Sequence, residues 1–148
     1  VEEKNRSWCS SSNENDQRAV TIECASDTTH PYAFKDVVYN KLIELCVDIC
    51  KRNGKKKLLW LGDKTKTLNY NPAADEMVLT VHRWFANKSC PGDWMYSRMG
   101  DLASKVTAKL GGSSASNPGT AGGAVMFYTA SRQEHSVTRQ TRTLCCPK

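Results

Sequence analysis

The stretch VHRWFANKSCPGDW, residues 81–94, holds a histidine, a lysine and a cysteine, with Cys90 eight residues after His82 and Lys88 two before it. Imidazole and thiolate are both good zinc ligands, and a catalytic zinc takes three protein ligands and leaves a fourth position to water. Bound zinc brings the pKa of that water toward ~7, so hydroxide becomes available at neutral pH. An ammonium beside such a centre is placed to stabilise the oxyanion formed when a carbonyl is attacked. Pro91 and Gly92 turn the chain sharply after the cysteine and so fix where its thiol points. Alone, the spacing is weak: two ligands do not make a site, and a single strand-end histidine is more often a structural hydrogen-bonder.

A second group strengthens it. Glu23 stands in VTIEC between Ile22 and Cys24. A carboxylate in an apolar strand is costly without a partner or a purpose. Strand alternation turns it to the face opposite Ile22 and Cys24. Beside an activated water it would serve as general base, and the structural alternative is a strand-edge glutamate paired with Arg18 or a lysine.

The elements that must position these groups can be read from periodicity. RAVTIECAS (18–26) reads as a buried strand ended by the turn-rich SDTTHP. Between Asp36 and Asn53, Val37, Val38, Leu42, Leu45, Cys46 and Ile49 recur at helical spacing. Asp36 stands at the start of this helix, Lys51 and Arg52 at its end, and Gly54 is the stop. KLLWLG (57–62) reads as a second strand, which makes a βαβ-like unit. Residues 63–76 read as a polar binding loop and MVLTVHRWF (77–85) as a third strand. A helix opening at Pro91 runs to Leu110. The whole predicts an α/β fold with a central mixed β-sheet flanked by helices. GGSSASNPGTAGG reads as a linker over 111–124, and 125–148 as an unassigned tail or the start of a further module.

Composition narrows the function classes. With 148 residues the chain suits one domain, and 39% hydrophobic and 24% charged residues are globular proportions. No apolar run is long enough to span a bilayer, and VEEKNRSWCSSS has no signal-peptide core, so synthesis in the cytoplasm is expected. The net charge of +6 favours an anionic partner, of which the bacterial wall is one. No nucleic-acid module accompanies the basic run KRNGKKK, and no nucleic-acid or membrane partner is expected. The seven cysteines are odd in number and irregularly spaced. Cys24, Cys46 and Cys50 read as buried, reduced thiols and not as a disulfide framework or a second metal site.

Together, NRSWCSSSN, RAVTIECASD, LIELCVDICKRNGKKKLLWLGDK and VHRWFANKSCPGDW resemble the zinc-dependent type-2 N-acetylmuramoyl-L-alanine amidases. That superfamily includes phage endolysin amidases and peptidoglycan recognition proteins, and the likeness covers about residues 1 to 110. The resemblance implies a Zn²⁺ cofactor, with His82 as the second histidine ligand and Cys90 as the third ligand. It makes Glu23 the catalytic base, Lys88 the oxyanion-stabilising lysine and Trp8 the aromatic at the groove rim. Trp84 and Phe85, by adjacency, are candidates to line the groove. The family's first zinc histidine belongs to a strand ahead of Val1, so the catalytic domain is expected to lack its N-terminal part. His30, in DTTHPY, matches no ligand position. The implied activity is cleavage of the amide between N-acetylmuramic acid and L-alanine in peptidoglycan, by a monomer acting at the bacterial cell wall. The alternative is a non-catalytic peptidoglycan binder or an inactive amidase fragment.

Overall fold

The computed structural model describes residues 2–111 and the strand Ala124–Ser131. In chain order the elements are α1 (Asn13–Asp16), β1 (Ala19–Ser26), α2 (Asp36–Arg52), β2 (Lys57–Leu59), α3 (Lys64–Asn69) and β3 (Glu76–Val81). A 3₁₀ turn (His82–Trp84), α4 (Asp93–Tyr96), α5 (Met99–Lys109) and β4 (Ala124–Ser131) follow. The α/β class expected from periodicity holds.

The long helix α2 ends where its sequence says it should. Gly54, at φ +66°, takes the left-handed position after the last turn. Its N–H donates to the Lys51 carbonyl, and that of Lys55 to the Cys50 carbonyl, so the final carbonyls are capped. Tyr39, Leu42, Ile43, Cys46, Ile49 and Cys50 form the buried face. Val37 and Leu45, assigned to that face by spacing, are exposed and border a groove beside β1.

The sheet runs β1-β4-β3-β2, and all three pairings are parallel. The expected mixed sheet is therefore corrected to a parallel one among the described residues. β1 and β2 flank α2 in sequence yet lie at opposite edges, with β4 and β3 between them. The core is one layer between sheet and helices. Ile22, Cys24, Leu58, Met77, Leu79 and Val81 supply the sheet side, and α2 with Met99, Leu102, Ala103 and Val106 of α5 the other. The Thr107 hydroxyl clamps α5 to β2 by accepting from the Leu58 N–H at 3.0 Å and donating to its carbonyl at 3.1 Å.

Other boundaries move. The segment expected to be a polar loop contains α3, whose first turn is capped by the Asp63 side chain accepting from the Lys66 N–H. The strand expected through Phe85 stops at Val81. The helix expected from Pro91 begins at Asp93 and is broken into α4 and α5 at Ser97–Arg98. Ala124–Ser131 belongs to the same sheet, not to a tail or separate module, because its backbone completes the ladders of β1 and β3 together. The rest of the predicted linker and tail, with His135, lies outside the described residues. Among the described residues no helix is long and apolar enough to cross a membrane.

Candidate functional site

β3 is buried along its whole length and delivers His82 at its C-terminal end, where the chain tightens into the 3₁₀ turn. His82 is 4% exposed and Cys90 7%. The segment between them doubles back on itself, because the Arg83 N–H donates to the Cys90 carbonyl at 3.0 Å. The histidine and cysteine separated in sequence thus flank a single backbone hydrogen bond. Lys88 lies on this return loop, half-buried, with its N–H donating to the Ala86 carbonyl.

Sheet register brings Glu23 to the same level. Glu23 pairs with position 128 of β4 and Val81, the last residue of β3, with position 127, so Glu23 lies one register step beyond the end of β3, where the chain leaves the sheet for the 3₁₀ turn. Two strand spacings separate β1 from β3, roughly 10 Å between backbones. Glu23 is exposed where Ile22 and Cys24 on either side are buried, so it lies on the face away from α2. Thr80 lies on that second face too, with its hydroxyl donating to Asn15 Oδ1 at 3.2 Å. Partial burial pushes the Glu23 carboxyl above its ordinary range, the direction that suits a group exchanging protons near neutrality.

The aromatic candidates separate. Trp8 is 72% exposed, with the Arg6 guanidinium 3.7 Å from its ring centre, a placement compatible with a rim. Phe85 is half-buried and lines a cleft of about 290 Å³ with Asn15, Lys64, Tyr70, Val78 and Thr80. Trp84 is instead a core residue, stacked on Trp60 with ring centres 5.0 Å apart and planes within 9°. Its expected place on a groove wall is corrected, since the turn at 82–84 sends it inward.

Sequence reasoning missed the clasp around Cys90. Arg83 and His30 both engage the Asp93 carboxylate, at 3.0 and 2.9 Å. His30 first and then Arg83 hold that carboxyl below its ordinary range. His30 is therefore a structural partner here. The only available signal was Asp93 following Cys-Pro-Gly, which reads equally as a helix-start acid.

The donor set fits zinc in kind, with one imidazole and one thiol on adjacent segments. Among the described residues, no three His, Cys, Asp or Glu side chains group to hold a metal ion. Cys24, Cys46 and Cys50 lie in the core and are poorer candidates for that role. Burial drives Cys24 up to about 12, Cys50 up to about 11 and Cys46 higher still. No protein-family model, curated protein or solved structure matches the chain.

Proposed function

We propose that this chain carries most of the catalytic site of a zinc-dependent N-acetylmuramoyl-L-alanine amidase, a peptidoglycan hydrolase. One observation carries the reading. The register sets Glu23 one step beyond Val81, level with the end of β3 from which His82 leaves the sheet, while the Arg83–Cys90 backbone bond seats the cysteine against the same turn.

His82 and Cys90 would be two of the protein ligands. Zinc, when bound, would supply an acidified water and polarise the scissile carbonyl. Glu23 would take the proton of the attacking water, and its raised pKa suits it to return that proton to the departing L-alanine amine. The Lys88 ammonium would stabilise negative charge on the carbonyl oxygen as water adds. Trp8 and Phe85 would contact the glycan or its peptide, and the basic net charge of +6 favours an anionic wall.

The experiment is digestion of purified cell walls. New L-alanine amino termini are expected, and reducing ends released without new amino groups would replace the amidase with a glycosidase. His82→Ala and Cys90→Ser should each lower zinc content by elemental analysis. Glu23→Gln should retain zinc and lose ~10²-fold in turnover, the scale of a general base. Peptidoglycan binding without either product would favour the non-catalytic reading, which has in its support that the described residues provide two ligands.

A further inference from the structure

Arg83 binds the Cys90 loop at several points. Its Nε donates to the Cys90 carbonyl at 3.4 Å, the same oxygen that its own backbone N–H engages. Its Nη2 donates to the Ser89 carbonyl and, at 3.0 Å, to Asp93 Oδ1. The guanidinium also lies 4.6 Å from the centre of the Tyr96 ring. Asp93, in turn, is held from the opposite side by His30 Nε2 at 2.9 Å. The Trp94 N–H donates to the Pro31 carbonyl at 3.1 Å, and the backbone at Gly92 packs so closely on Tyr32 that an added Cβ would stand 2.8 Å from the Tyr32 Cβ. Segment 89–94 is thereby held from both sides, by Arg83 directly and by residues 30–32 through Gly92, Asp93 and Trp94.

We infer that Arg83 is the positioning residue for Cys90. It fixes the return loop through two consecutive carbonyls and is itself aimed by Asp93 and His30. Only a planar fork can do this, because the contacts to two carbonyls and a carboxylate diverge from one guanidinium, whereas a lysine offers a single compact ammonium. In giving Cys90 a ligand's role the inference rests on the amidase reading; the placement of the loop does not.

The chain contains its own controls. Cys24, Cys46 and Cys50 are buried in the core, so their reactivity reports general loosening, while Cys90 reports its loop. The test is the rate of N-ethylmaleimide modification at each cysteine of the full chain, mapped by peptide mass spectrometry. Arg83→Gln should accelerate Cys90 by about tenfold or more, the scale of one lost charge-assisted hydrogen bond, and leave the three core cysteines at wild-type rates. Arg83→Lys should not restore protection. An unchanged Cys90 rate, an equal rise at Cys46 and Cys50, or full rescue by lysine would each overturn the inference. In parallel, cobalt(II) titration should show the thiolate charge-transfer band weakening in Arg83→Gln by about 10–100-fold in affinity, as for other residues that orient metal ligands. If wild type gives no such band, the amidase reading falls while the modification rates still decide the role of Arg83.

Discussion

At the scale of single residues, two glutamates on different strands of the sheet, Glu23 on β1 and Glu76 on β3, are shifted in opposite directions, and both directions are testable. Glu23 is raised by desolvation, so carboxyl NMR should place its midpoint above the ordinary 4.5, and a midpoint at or below that value would remove its fitness as a base. Glu76 is 1% exposed. Burial pulls its carboxyl upward, but the Ala73 N–H, the Tyr70 hydroxyl and the Lys57 ammonium outweigh burial and leave it lowered. A carboxyl lowered by folding stabilises the protein above its unfolded pKa of ~4.3, and that contribution fades as pH falls through the folded value. Glu76→Gln should therefore cost about 3 kcal/mol at pH 7, as for breaking a buried pair. The gap from wild type should narrow as pH drops below ~4.3. A gap that widens on acidification in chemical denaturation would contradict the assignment. The candidate site was legible at this scale through residue type and order, which singled out Glu23, His82, Lys88 and Cys90. Arg83 was not, because an arginine after a strand-end histidine has no spacing signature, and its partner Asp93 is held in turn by His30, 63 residues away in sequence.

At the scale of elements, legibility followed the strength of local signals. α2 was readable because 17 residues of periodicity end in a basic turn and a glycine that adopts positive φ. α3 was not, since its six residues KTKTLN carry little apolar pattern and depend on the Asp63 cap. The break between α4 and α5 was hidden because Met95, Met99, Leu102 and Val106 continue one apolar face across it. The junction before α4 gives a sharp prediction. Gly92 sits at φ +82°, and a Cβ there would meet the Tyr32 Cβ at 2.8 Å and the Pro31 carbonyl at 3.2 Å. Gly92→Ala combines backbone strain with a clash between two segments and should cost about 1–3 kcal/mol in thermal or urea unfolding. A loss under about 0.5 kcal/mol, the range of ordinary surface changes, would mean that the 30–32 and 89–94 segments do not pack as described. In α5, Leu102 is 0% exposed, and Leu102→Ala should cost about 2–5 kcal/mol by the same measurement.

At the scale of the whole molecule, the arrangement turns on β4. The sequence pattern suggested that the domain ended near Leu110, because a Gly- and Ser-rich stretch follows and AVMFYTAS is too short to declare its partners. Strand pairing is non-local information, and only the register of Ala19 and Val78 with the same Ala124 reveals that β4 stands between two strands formed much earlier. This position also links the fold to the site, since Glu23 and the end of β3, from which His82 leaves the sheet, are brought together through β4 and by no direct pairing of β1 with β3. A proline in a central strand removes a ladder hydrogen bond and cannot be accommodated on both sides. Phe127→Pro should therefore deprotect β1 as well as β4. Hydrogen exchange of peptides spanning 19–26 should accelerate by an order of magnitude or more, as when a strand leaves its cooperative unit. β2 and the α5 segment bonded to Leu58 should respond least, being on the far side of β3. If the 19–26 amides keep wild-type protection in that variant, β1 does not depend on β4, and the placement of Glu23 level with the end of β3 loses its structural basis.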